Sequence, residues 1–528
     1  MKGTFHKSSA DTALLRNVWW VLLGMLLVYF GAVCAINLSG VPGFYDADMY
    51  TDIRYAMEAW SHKSVFPEGW VFGNQLYMAS TPVLAALFYG LTGVPHLAMG
   101  LASTVMAVLV LVSFHWMLRP VVNTRQARMA GSVAFMGMML LFGDAWQNTG
   151  GWQLLFTMCS YYACYTINVF LAYGLYLRGE KLKWLWPVLA VTCVLSFCTG
   201  IQSLRQTAVM TLPLLGVEFL RIVFCLAGRK TVDKKPLAVA GFISTANVAG
   251  LVTARCLKLE QVEIFGEIAL TPLSQYGGEL KNGIARALSL VLNHDPVGYL
   301  MLGGVLLVCS CGVVCLFWRL LRLREGKGLV LMVLMGFSVL AILAVDVMLT
   351  MLVRPIYYFM LFPLLAFLTS ICYEEIGKWG KTAVLIFLTV LFCLSCVLEL
   401  VPVSARILQK DKESAYAVSD YLLDHGYTTL YGAWNQGADV VVASEWKITA
   451  GFWEYPDDPF FYYKYLCNPS VFRRDPSHCA YLFYGQENAA LAVEKAKTKQ
   501  IEMTLLTHFS DSDIYLYTAS ENIMEAFW

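Results

Sequence analysis

The segment Phe44-Tyr45-Asp46-Ala47-Asp48-Met49-Tyr50-Thr51-Asp52 places three carboxylates within seven residues. A carboxylate at a membrane surface can take the proton of an attacking hydroxyl, or hold a divalent cation. Extended backbone would put Asp46 and Asp48 on one side, whereas a helix would put Asp48 and Asp52 on one face. The sequence leaves both open. Aspartates that cap a helix at the start of a solvated loop are the plain structural alternative. Phe44, Tyr45 and Tyr50 suit a sugar-binding cleft or an aromatic interface belt.

Cations are the second chemical feature. A lipid-phosphate ligand needs positive charge near the membrane surface. Arg54, Lys63, Arg205, Lys281, Arg286 and Arg354 fall in the segments read below as external. Arg205 and Arg354 stand out because each lies at the outer end of an apolar run, against the usual basic bias of inner loops. Snorkelling or a helix-end contact is the bland reading of each. His62 and His294 are loop histidines without metal-ligand spacing. The stretch from Asp144 to Trp152 is a polar-aromatic turn, suited to a carbohydrate cleft or an interfacial belt. Asp346 lies inside an apolar run, where an acid is costly and usually paired.

The elements that position these residues are read from hydropathy. The chain has 528 residues, 58% hydrophobic and 14% charged, against about 25% charged in soluble proteins. Apolar runs fall near 18–37, 76–93, 97–118, 129–143, 154–177, 185–198, 206–226, 237–253, 297–318, 329–350, 355–372 and 382–400. The first follows Lys2, Lys7 and Arg16 and reads as a retained signal anchor. Basic clusters such as Arg119/Arg125/Arg128 and Arg319/Arg322/Arg324/Lys327 mark inner loops, and the N-terminus is basic too. The chain must then cross an even number of times between Arg16 and Arg119. Three runs lie there, so one does not span. The run 76–93 is short, carries Pro82 and ends in glycines, so it is the one expected to lie at the interface. About eleven transmembrane helices remain, with external segments at 38–96 and 254–296 too long for plain turns.

From Val401 the composition changes to that of a small α/β domain outside the cytoplasm. KDKESAYAVSDYLLDHG reads as a helix stopped by Gly426, and ENAALAVEKAKTK as another. TTLYGAW, CAYLFYG and IYLYTAS read as strands, and ADVVVASEW as helix or strand. The expected division is 1–400 for the membrane domain and 401–528 for the external one. No nucleotide-binding glycine motif occurs, and a net charge of +1 provides no argument for nucleic acid. Most of the 15 cysteines lie in apolar runs as small packers. Cys467 and Cys479, both in the external domain, are the pair that could form a disulfide.

This order of features resembles the GT-C membrane glycosyltransferases, in particular the protein mannosyltransferase and aminoarabinose transferase-like bacterial families. One span is followed by an acidic motif and then by a long external loop with an interfacial helix. Asp46-Ala47-Asp48-Met49-Tyr50 is similar to a D-E-x-x-Y motif, with Ala47 in place of the Glu. Ser80-Thr81-Pro82-Val83 stands where an H-P-P-L-like segment would be, followed by Leu91-Thr92-Gly93. Arg354 and Tyr357 through Pro363 resemble an R-Y-x(n)-P segment. The resemblance implies a polytopic α-helical plasma-membrane enzyme, its N-terminus cytoplasmic and its C-terminal domain outside. It implies transfer of a sugar from a polyprenyl-phosphate carrier to an extracytoplasmic glycan, lipid or protein, with inversion. Asp46 would be the general base, and Asp48 would orient it or bind a divalent cation. Tyr50, Arg54, Arg205, Arg354 and Tyr357 would bind substrate. Two other readings stay open: a transporter or flippase of a lipid-linked or anionic solute, for which Asp346 speaks, and a non-catalytic cell-envelope binding protein.

Overall fold

The structure is a computed structural model. It describes residues 9–73, 75–142, 150–158, 160–178, 182–229, 231–262, 269–291, 296–323, 325–350, 353–462 and 465–527. His294 and residues 144–149 of the polar-aromatic turn lie outside them.

Helices α1 (Ser9–Ser39), α2 (Ala47–Ser61), α3 (Thr81–Thr92) and α4 (Pro95–Leu118) open the chain. Then come α5 (Arg125–Phe142), α6 (Ala163–Tyr176), α7 (Leu182–Gln202), α8 (Leu212–Ala227) and α9 (Lys234–Cys256). The last helices before the sheet are α10 (Tyr276–Ser289), α11 (Pro296–Leu323), α12 (Lys327–Met348), α13 (Leu361–Glu375), α14 (Lys378–Ser395), α15 (Val401–Leu408) and α16 (Ser414–Asp424). The described chain forms two compact units. One comprises Met1–Ala35, Thr104–Leu257 and Phe265–Pro402; the other comprises Ile36–Ser103, Lys258–Ile264 and Val403–Trp528.

Nine described helical segments are long and apolar enough to cross a membrane, from Asn17–Ser39 to Lys378–Leu408. The chain is a multi-pass membrane protein. Two of the eleven expected spans, 129–143 and 154–177, correspond to α5 and α6, which do not reach that measure of length and apolarity. The reason is their surroundings. Helix α5 buries residues on every side, including Arg128 and Ser132, so it has no lipid-facing stripe to keep apolar. Small residues let α7 and α9 approach closely. A side chain at Gly200 would meet the Asn247 backbone, and one at Gly250 would meet that of Phe197. Polar groups at the contact of α7 with α9 are paired, which suits lipid surroundings. Asn247 accepts from Thr207 Oγ1 at 2.7 Å and donates to the Ser196 carbonyl at 3.2 Å.

In the second unit, α3 is 12 residues long. At 1.5 Å per residue it covers about 18 Å, well short of the ~30 Å hydrocarbon core. It stops at Gly93, whose φ of +67° fits the left-handed cap. Run 76–93 therefore does not span. The sheet of this unit has strands β1 (Thr429–Ala433), β2 (Thr449–Tyr455), β3 (Asp458–Tyr462), β4 (Cys479–Tyr484), β5 (Met503–Phe509) and β6 (Ile514–Ala519), in the order β3-β2-β1-β4-β6-β5. Strand β1 runs parallel to β2 and β4, and the other pairs are antiparallel. Alternation along the strands feeds two cores. Leu430, Ala450, Phe452 and Leu482 go to one, and Tyr431, Trp453, Tyr481 and Phe483 to the other. Helices α17 (Ala438–Ala443) and α18 (Gln486–Lys497) supply apolar residues to the first and second core respectively. Gly451 leaves little room for a side chain, since a Cβ there would lie 3.0 Å from the rings of both Tyr431 and Phe472. Cys467 and Cys479 are not joined in a disulfide, and Cys479 Sγ donates to the Asp475 carbonyl at 3.1 Å.

Candidate active site

The acidic segment forms the start of α2. Asp46 is its N-cap: φ −108°, ψ −178°, with Oδ1 accepting the Met49 N–H at 2.8 Å. The helical alternative thus holds, so Asp48 and Asp52 share a face while Asp46 sits at the tip. Asp46 and Asp48 are half-buried and Asp52 is buried. The Tyr77 hydroxyl donates to Asp52. Burial first, and the Asp52 charge second, push the Tyr77 phenol well above its ordinary range, so Tyr77 stays a donor. Among the described residues no group of three or more His, Cys, Asp or Glu side chains could hold a metal ion.

Tyr50 belongs to the packing of the same unit. It is 3% exposed, stacks on Trp446 at 5.7 Å, and exchanges two hydrogen bonds with Ala450 of β2. Its hydroxyl donates to the Ala450 carbonyl at 3.0 Å and accepts the Ala450 N–H at 2.9 Å. Tyr50 therefore fixes α2 against the sheet. Arg54 pairs with Glu58 one turn on, at 3.2 Å. Lys63 lies 3.2 Å from the Trp60 ring centre, and His62 Nδ1 is 3.0 Å from the Glu58 carbonyl.

The membrane unit holds its own polar group. The Arg205 guanidinium faces the rings of Tyr162 and Tyr357, at 5.3 and 5.7 Å from their centres. A π-helical turn, Thr207–Thr211, follows it. Such turns interrupt regular helix and recur at functional sites. Tyr357 lies in the short helical turn Pro355–Tyr358 that Arg354 caps, and Arg354 is exposed. The preceding strand-like residues are anchored, since Thr350 N–H donates to the Ala269 carbonyl and Thr271 N–H to that of Met348, both at 2.9 Å.

Asp346 is paired rather than free. Arg286 of α10 grips both its oxygens, Nε to Oδ2 at 2.9 Å and Nη2 to Oδ1 at 2.6 Å, and Tyr358 donates to Oδ2 at 2.7 Å. Arg286 is thereby committed to Asp346, whereas Lys281 stays exposed. The sequence reading missed Tyr77, Tyr162 and Tyr358 as partners of charged groups. Only Tyr358 carried a signal, through its place beside Tyr357 in the arginine-tyrosine segment.

No protein-family model matches the sequence, and no curated protein matches it. Among solved structures the chain is similar to ArnT from Cupriavidus metallidurans in the apo state. The two are 12% identical, with 98% of this chain and 99% of that one covered, at a TM-score of 0.52. The same protein bound to undecaprenyl phosphate gives 13% identity, 95% and 98% coverage, and 0.51. An Archaeoglobus fulgidus oligosaccharyltransferase tethered to an acceptor peptide gives 9% identity, 92% and 69% coverage, and a TM-score of 0.49. From end to end, the chain has the polytopic GT-C fold of ArnT, with a sheet domain at its C-terminus.

Proposed function

We propose that this chain is an inverting membrane glycosyltransferase that moves a sugar from a polyprenyl-phosphate carrier to an extracytoplasmic acceptor. The observation that carries this reading is the full-length likeness to ArnT, one of whose structures holds undecaprenyl phosphate. Asp46 is the proposed general base. It takes the proton of an acceptor hydroxyl as that oxygen bonds to the anomeric carbon. The bond from that carbon to the phosphate oxygen breaks, and the lipid phosphate leaves with the electron pair. Phosphate is a good leaving group, so one carboxylate suffices. The N-cap bond to Met49 supports the assignment, because it fixes the carboxylate's direction.

Asp48 is proposed to orient the base or to bind a divalent cation. Arg205 and Arg354 are proposed to hold the donor phosphate, with Tyr357 and Arg54 on substrate. Tyr50 is proposed to act through position. The orientation is part of the proposal: N-terminus in the cytoplasm, C-terminal domain outside. Cysteines placed after Lys63 and Thr92 should label from outside, and one after Arg125 from inside. Asp346, the residue that speaks for a transporter, is paired with Arg286, which supports a structural role for it. The direct test is release of polyprenyl phosphate by the purified protein from a panel of lipid-linked sugars, with cell-envelope extract as acceptor. Release from at least one donor is expected, and none from any would reject the reading.

A further inference from the structure

The membrane unit contains a cavity of about 600 Å³ between α1, α4 and α5. Its walls differ in character. Leu27 and Phe30 of α1 and Val112 of α4 form an apolar side. Leu27 is 60% and Val112 59% exposed, so this side opens onto the lipid-facing surface. The other side is cationic, lined by Arg119, Arg125, Arg128 and His115.

Arg128 is the informative member. It is 7% exposed. Its Nε donates to His115 Nε2 at 3.0 Å, and its Nη1 to the carbonyls of Val122 and Asn123 at 2.7 and 3.0 Å. All these acceptors are neutral or carbonyl groups, so none cancels its charge. Among the described residues Arg119, Arg125 and Arg128 make no ion pair. Glu374 is an acid of this region, and its oxygens already accept the N–H groups of Asn123 and Thr124 and the Arg319 guanidinium. Glu374 attracts Arg128 but is shared with these partners, while Arg119 and Arg125 add charge of the same sign, so a bound anion would offset the cost of burying Arg128.

We infer that this cavity binds the head group of an anionic phospholipid, its phosphate against the three arginines and one acyl chain along Leu27, Phe30 and Val112. The apolar wall selects a lipid over free phosphate, because a small anion leaves that wall unused. The site is separate from the proposed donor site at Arg205 and Arg354.

The test uses the full-length protein released from detergent for native mass spectrometry, with phosphatidylglycerol and phosphatidylcholine of the same chains. Near-surface arginines favour an anionic lipid by ~1 kcal/mol each, so with three of them wild type should retain phosphatidylglycerol on the order of a hundred-fold better. Arg119→Gln/Arg125→Gln should cut that preference to roughly five-fold, the share left to Arg128; both residues are exposed, so folding is not at stake. Val112→Trp, which fills the apolar wall and leaves the cations, should weaken retention too. Equal retention of the two lipids by wild type would overturn the inference. So would displacement of the lipid by millimolar inorganic phosphate with Val112→Trp unaffected, which would mark a plain anion site.

Discussion

Arg205 and Arg286 belong to the same membrane unit, yet their surroundings are opposite. Arg286 meets a carboxylate in two-point geometry, with a tyrosine completing the shell of Asp346. Arg205 faces two tyrosine rings. A carboxylate cancels a guanidinium's charge, whereas ring faces hold it in place without cancelling it. The difference teaches which cation is spent on a carboxylate of the fold, while Arg205, held between ring faces, is the one proposed above for the donor phosphate. Sequence already set Arg205 above Arg286, by its place at the outer end of an apolar run; their surroundings now separate them on physical grounds.

The comparison breaks if the two arginines respond alike. Arg205→Ala, and likewise Arg354→Ala, should weaken donor-lipid binding by on the order of 2–5 kcal/mol with the melting temperature nearly kept. Titration of the purified variants with a polyprenyl phosphate checks this. Arg286→Ala should do the reverse. It strands the buried Asp346 carboxylate and should lower stability by about 3 kcal/mol, read by thermal unfolding in detergent. The double variant Arg286→Ala/Asp346→Asn should recover much of that loss, since no charge is left alone.

A smaller effect sharpens the same contrast in the sheet unit, where Asp52 is held by a neutral donor. Tyr77→Phe removes that donor and should cost about 1–3 kcal/mol, again by thermal unfolding. A further effect is one of pH. Burial pushes the Asp439 carboxyl up to about 6 from 3.8. The folded form then holds a proton that the unfolded form releases, so this contribution is present below about pH 4 and fades as pH rises through 6. Stability measured across that window should fall with rising pH, and Asp439→Asn should flatten the slope.

Much of the fold was legible because apolar length and basic loops report directly on the membrane. The short run 76–93 was recognisable from Pro82 and Gly93. Helix α16 ends as expected, with Gly426 at φ +81° beyond it. Strands β2, β3 and β5 were not seen. Gly451 interrupts β2, and Pro459 sits in β3, an edge strand where a missing donor is tolerated. Strand β5, at the other edge, is only partly buried and so has a weak pattern. The candidate site was half legible. Residue types marked Asp46, Asp48, Arg205 and Arg354. The helix that aligns Asp48 with Asp52 rests on the cap at Asp46, which competed with an extended alternative. Partners such as Tyr77 for Asp52 and Arg286 for Asp346 lie 25 and 60 residues away, beyond any local pattern.

The measurement closest to the central claim is single-turnover release of polyprenyl phosphate by Asp46→Asn, with the donor that wild type turns over. Asparagine caps a helix as well as aspartate does, so α2 keeps its start and only the proton acceptor is lost. Removing a general base typically costs about 10²–10⁴-fold in rate. The account predicts a loss of that size, with thermal stability and donor binding unchanged and with Asp48→Asn less affected. Near-wild-type release by Asp46→Asn would contradict it.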